Sequence, residues 1–194
     1  MVRVKTVIFL AIGCLMIASG FVVWAIAQHK KSFAWDRLLL TSPSFSNGTI
    51  LPSEFTCDGT NVNPVISIQN IPDGTESVVV DMIDTSGLGN HADWVLWNAS
   101  PLINKIPKNA PPDVGVIGVN DFGKNEYDGP CPEKGARHYK YEAYALNTIL
   151  DLPASANYSE LQQAIDKHVL AYGSISVVYT KQNNIEVDTN SIGQ

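Results

Sequence analysis

Four stretches of this chain concentrate side chains able to do chemistry. Asp84 ends an apolar, β-branched run and is followed by the glycine-rich Thr85-Ser86-Gly87-Leu88-Gly89-Asn90, then by His91-Ala92-Asp93-Trp94. Phe55-Thr56-Cys57-Asp58-Gly59-Thr60 lies upstream. Downstream come Asn120-Asp121-Phe122-Gly123, Tyr127-Asp128-Gly129-Pro130-Cys131-Pro132 and Arg137-His138-Tyr139. Loops held at strand ends are where binding groups collect. The guanidinium of Arg137 is planar and always charged, which suits phosphate or carboxylate. Backbone N–H groups of glycine-rich loops add donors for an oxyanion. Cys131, His138 and Asp84 are the residue types of a nucleophile, a base and an orienting acid, so a cysteine-dependent hydrolase is one alternative. The chain has no G-x-S-x-G elbow, and Cys131 stands between Pro130 and Pro132, as a rigid wall would. His91, Asp93 and His138 are metal-ligand types, but neither H-E-x-x-H nor C-x-x-C spacing occurs. Neither a metal nor another cofactor is expected, and binding is preferred to catalysis.

Strands must position these groups. Glu76 to Asp84 is rich in β-branched residues and reads as a central strand, and Ala92 to Asn98 as a second. His138 to Leu146 alternates, placing Tyr139, Tyr141, Ala143 and Ala145 on one face. Gly173 to Thr180 reads as another strand, and Val114 to Val119 as a short one. One helix is expected: Ser159 caps it with Gln162 in a capping box. Its inner stripe is Leu161, Ala164, Ile165, His168 and Val169, with Gly173 closing it. The element pattern predicts a mostly β fold, an antiparallel sandwich with a few peripheral helices.

The chain has 194 residues and a net charge of -6. Its acidic balance excludes nucleic acid, which requires clustered Lys and Arg. No charged residue lies between Thr6 and Ala27, a run long enough to span a bilayer at about 20 apolar residues. Residues 1–27 are therefore a signal peptide or membrane anchor, and Ala25-Ile26-Ala27 fits cleavage after Ala27. Residues 28–40 are a juxtamembrane linker, and 41–194 form the domain. This predicts export to the periplasm or cell surface, with membrane contact through the N-terminal helix. Cys14 lies in the apolar run, leaving Cys57 and Cys131 either bridged or as two separate buried thiols.

Thr56-Cys57-Asp58-Gly59, Asn120 to Gly123, Asp128 to Pro132, and the His138-Tyr139 strand ending in Tyr144-Ala145-Leu146 resemble the bacterial branch of the phosphatidylethanolamine-binding proteins, the Raf-kinase-inhibitor-like proteins. Leu152-Pro153, Glu160-Leu161, Ala164-Ile165 and His168 to Ala171 agree, so the likeness runs from about Leu40 to Thr180. It implies a Greek-key β-sandwich with a small anion pocket at one end, taking phosphate or a phospholipid headgroup. A kinase-inhibitor-like protein-interaction module, with a protein partner in place of the ligand, is the alternative it implies. Asp84 matches the first aspartate of the family's Asp-Pro-Asp loop, with Thr85 and Ser86 in the next two places. Asp93 and Arg137 stand where the family has histidines, and His91 lies two residues before Asp93 on the same face of an extended strand. One possible arrangement pairs Asp93 with Arg137 across the pocket mouth. The implied ligand set is Asp84, His91, Asp93, Pro130, Cys131, Pro132, Arg137, His138 and Tyr139.

Overall fold

The structure is a computed structural model that describes residues 36–87 and 89–181. The segment expected to be a signal or anchor lies outside the described residues. Among the described residues, no helix is long and apolar enough to cross a membrane.

The described chain is mostly β, in two sheets. The larger contains β1 (Asp36–Arg37), β3 (Thr49–Ile50), β5 (Ser77–Asp84), β6 (His91–Ala99), β8 (Val116–Ile117), β9 (Ala136–Leu146) and β10 (Val169–Thr180). Its order is β1-β10-β9-β5-β6-β8, with β3 also on β10. The smaller sheet has β2 (Leu39–Thr41), β4 (Ile66–Gln69) and β7 (Lys105–Ile106) in the order β2-β4-β7. The expectation of a purely antiparallel architecture is corrected at one edge, because β1 and β3 both run parallel to β10. Asp36 pairs with Ala171, and Leu38 and Leu40 are buried, so the domain begins before the expected end of the linker.

All eight residues of β5 are buried because the strand serves two cores. Side chains alternate across a strand. Val78, Val80 and Met82 face a core shared with Leu40, Ile66, Ile68 and Ile106 of the smaller sheet. Val79 and Ile83 face the other side, where Leu161 and Ile165 of α1 (Tyr158–Ile165) pack on them. Burying each such aliphatic side chain is worth about 1.5–3 kcal/mol. Tyr139, Tyr141, Ala143 and Ala145 share the first core, as the alternation in β9 requires.

The helix starts and stops earlier than expected. Asn157, not Ser159, is the N-cap, and its Oδ1 accepts from Glu160 N at 3.1 Å while Glu160 Oε2 accepts from Asn157 N at 2.9 Å. Lys167 has a φ of 68°, a left-handed conformation that ends the helix and turns the chain into β10. His168 is therefore no core residue of a helix stripe, and its Nδ1 lies 2.9 Å from Asn147 Oδ1. Gly173 sits inside β10, where a Cβ would meet Leu38 O at 2.3 Å. The glycine lets the chain at Leu38 cross close to the strand, and Leu38 N donates to Tyr172 O at 3.0 Å.

Candidate functional site

The end of the larger sheet gathers the chemistry-bearing residues. Asp84 closes β5 in register with His91 of β6 and Tyr139 of β9, so the three side chains share a face. The loop after Asp84 is held by its own carboxylate: Ser86 N donates to Asp84 Oδ1 at 2.8 Å. Thr85 N donates to His138 O at 2.9 Å.

Asp93 reaches the same place through an irregularity. The pairing of β5 with β6 slips between Met82 and Ile83, which oppose Trp94 and Ala92, so Asp93 is the extra residue of a bulge. Bulges re-aim side chains and are common beside binding sites. Here the displaced carbonyl of Asp93 accepts from Asp128 N at 3.1 Å and from Asn120 Nδ2 at 3.3 Å. Asn120 is buried and organises its loop. Its Nδ2 also donates to Glu126 O at 3.1 Å, and its Oδ1 accepts from Phe122 N at 3.1 Å and Lys124 N at 3.0 Å. The loop thereby presents Phe122, whose ring meets His91 edge-on with centroids 4.7 Å apart.

A covalent tie fixes the opposite wall. Cys57 and Cys131 form a disulfide with Cα atoms 5.4 Å apart, which decides between the two states left open by the sequence. Cys57 N donates to Pro130 O at 3.3 Å, and Gly129 N donates to Asn61 Oδ1 at 2.7 Å. A Cβ on Gly129 would meet Phe55 O at 2.2 Å, so only glycine lets the two loops approach this closely. Tyr179 OH donates to Asp58 Oδ2 at 2.5 Å, tying the same wall to β10. The Thr56 to Gly59 motif thus acts as scaffold rather than as ligand contact.

These elements enclose a cleft of about 520 Å³. Of the expected residues, Asp84, His91, Asp93, Cys131, Arg137 and Tyr139 line it. Pro130 and Pro132 are buried in the wall and do not reach the cleft. His138 does not line this cleft. It alternates with Arg137 and Tyr139 along β9, so its exposed side chain points to the other face. His138→Ala should leave ligand affinity unchanged within about twofold, measured by calorimetry. With Cys131 bridged and His138 turned away, the Cys131–His138–Asp84 constellation does not assemble. Phe122, Glu133 and Lys134 complete the lining. Glu133 and Lys134 carry no sequence signal beyond following the Gly129 to Pro132 loop.

The charges pair differently from the expected Asp93–Arg137 bridge. Arg137 Nε lies 2.8 Å from Asp84 Oδ2, and His91 Nδ1 lies 2.8 Å from Asp93 Oδ1. The physical reason is strand geometry: Asp84 pairs with β9, the strand that carries Arg137, whereas His91 and Asp93 lie two residues apart on one face of β6. Burial pushes the Asp93 carboxyl up to about 7, and Asp84 and Asp128 add to the rise while His91 opposes it. Burial, with Asp84 and Asp93 nearby, also raises the Tyr139 phenol well above its ordinary range, so it keeps its proton and can donate. Among the described residues, no group of three or more His, Cys, Asp or Glu side chains is placed to hold a metal ion.

Comparison with known proteins bears on the same region. The family model described as phosphatidylethanolamine-binding protein matches residues 41–180. A UPF0098 protein of Pyrococcus horikoshii is 32% identical over 187 residues, covering 91% of this chain and 86% of that protein. A UPF0098 protein of Methanothermobacter thermautotrophicus is 33% identical over 150 residues, covering 73% and 98%. The crystal structure of a phosphatidylethanolamine-binding protein homologue from Chlamydia trachomatis superposes with a TM-score of 0.71 at 27% identity, covering 76% of this chain and 99% of that one. Escherichia coli YbcL superposes with a TM-score of 0.70 at 23% identity, a likeness of fold.

Proposed function

This chain belongs to the phosphatidylethanolamine-binding protein family, and from that premise we propose that it is an exported binding protein holding a small anionic ligand, a phosphate or a phospholipid headgroup, in the cleft at the end of its larger sheet. The observation that carries the reading is convergence: segments around positions 84, 93, 131 and 137 meet on one polar cleft although they are far apart in the chain. Arg137 gives its Nε to Asp84, and its side chain remains 40% exposed. An incoming oxyanion takes charge-assisted hydrogen bonds from the guanidinium, with Lys134 at the rim and the Tyr139 phenol as a neutral donor. Phe122, 52% exposed, offers an apolar edge to the carbon part of an ester. Export is supported by the bridged Cys57–Cys131 pair, which suits an oxidising compartment, and by the apolar N-terminal run.

A protein-interaction module is the second reading, favoured by one observation: the charge of Arg137 is already met by Asp84. Calorimetry separates the two. Phosphate and phosphoethanolamine should each bind saturably, and Arg137→Ala should weaken binding by about 10- to 100-fold, the worth of a hydrogen bond to a charged group. A silent titration with both probes would overturn the ligand-binding reading and leave the interaction module.

A further inference from the structure

The carboxyl groups of the cleft create an electrostatic problem that any anion must meet. Asp84 is matched by Arg137 at 2.8 Å. Asp93, only 3% exposed, has no such cation: its partner is the imidazole of His91. With a single proton shared between Nδ1 and Oδ1, that pair carries one negative charge inside the cleft. With two protons it is neutral overall, whichever of the two groups holds them. An anion arriving in a partly desolvated cleft is repelled by the first state and tolerated by the second.

We propose that anion binding in this cleft is coupled to the uptake of one proton by the Asp93–His91 pair. The inference rests on the ligand-binding reading above and adds its regulation. The proton comes from solvent and is released when the ligand leaves. The geometry supports the coupling from every side of Asp93. β5 brings Asp84 into the same cleft, and the loop after Asn120 brings Asp128, which Lys124 holds at 2.9 Å, so the ionised form of Asp93 faces two carboxylates that are each already paired and still disfavour it. β9 brings Arg137, already paired, and Tyr139, whose raised phenol does not compete for this proton. Tyr127 and Tyr141, which share a hydrogen bond of 2.8 Å beneath the cleft, are likewise pushed up by burial. Glu133 and Lys134 stand at the exposed rim. The Asp93 carboxyl, pushed up to about 7 chiefly by burial, is set to change charge near neutral pH.

The sign follows. Below about pH 7 the pair is already neutral and binding costs no proton; above it, affinity falls by up to about tenfold per pH unit. The test is calorimetry of the full chain with sulfate, which keeps its charge from about pH 5.5 to 8.5, and with phosphoethanolamine. Each titration is repeated in two buffers of different ionisation enthalpy. Wild type should take up close to one proton per sulfate at pH 8 and close to none at pH 5.5. Asp93→Asn should abolish the uptake and flatten the profile. His91→Gln should keep the uptake and move it to higher pH, because His91 is what opposes the rise at Asp93. Saturable binding with no proton uptake would overturn this inference alone. Uptake that survives Asp93→Asn and vanishes in His91→Gln would assign the proton to the imidazole by itself and also overturn it. No saturable binding of either probe at any pH would overturn both the inference and the reading beneath it.

Discussion

Breaking the Cys57–Cys131 disulfide lowers the unfolding free energy by about 4 kcal/mol, the chain-entropy value for a loop with the 74-residue separation of this pair. The bond restricts the unfolded chain over more than a third of its length, and in the folded protein it clamps two loops that otherwise meet through hydrogen bonds. Cys57 N to Pro130 O and Gly129 N to Asn61 Oδ1 would remain. Without the bridge, the Gly129 to Pro132 wall is held by those hydrogen bonds and by Tyr127 OH on Phe55 O at 2.8 Å, while Tyr179 holds Asp58 in the facing loop. Urea unfolding of the double variant Cys57→Ala/Cys131→Ala against wild type measures the loss directly. Ligand affinity should also fall, because Cys131 lines the cleft. A loss below about 1 kcal/mol would mean that the unfolded chain is already compact around this loop.

Asp81 has the opposite expectation: its removal stabilises the protein. Its carboxylate is fully buried on the helix-covered face of β5, and neither oxygen has a hydrogen-bond partner among the described residues. Glu142 lies directly opposite on β9. The two oxygens of Glu142 are taken by Tyr172 OH at 2.6 Å and Tyr144 OH at 2.9 Å, so nothing there offers Asp81 a proton donor. Burial, and then the Glu142 charge, push the Asp81 carboxyl well above its ordinary range. The native state therefore holds this proton more tightly than the unfolded chain, whose aspartates titrate near about 4. As pH rises from about 4 the unfolded chain sheds the proton first. Stability falls by up to about 1.4 kcal/mol per pH unit until the native carboxyl also ionises. Asp81→Val places a β-branched side chain between Val79, Ile83 and Val95. It should raise stability at pH 7 by at least about 2 kcal/mol and flatten that slope, read by denaturant unfolding across pH. Binding should be untouched, because Asp81 faces away from the cleft that Asp84 enters. A destabilised Asp81→Val would mean that the carboxyl has a compensating partner in solution.

How far the sequence revealed this depends on which physical rule each feature obeys. β5 is legible because Val78, Val79 and Val80 need no distant partner to identify a buried strand. The long strand β9 is legible from its alternation. β2, β4 and β7 span two to four residues each and are fixed only by mutual pairing, so local pattern does not mark them. The site shows the same division. The motifs name the loops that meet, since Gly129 and Cys131 are placed by local backbone demands and by a covalent bond. They do not name the partners. Whether Arg137 or His138 faces the cleft is a matter of strand parity, decided by the pairing of Asp84 with Tyr139. The bulge at Asp93 is equally a long-range event, because it exists only in the register of β6 against β5. The helix start was misplaced for another reason: Ser159 with Gln162 and Asn157 with Glu160 both fit a capping box, and the folded chain uses the second pair.

The central claim, that one cleft built from distant segments holds an anion, is tested most directly by mapping amide chemical shifts of the full chain while phosphoethanolamine is added. The account predicts saturable shifts concentrated at Asp84 to Gly87, His91 to Asp93, Phe122 and Arg137 to Tyr139, with the amides around Asp81 and α1 still. Shifts spread over unrelated surfaces, or none at all at saturating concentration, would contradict it.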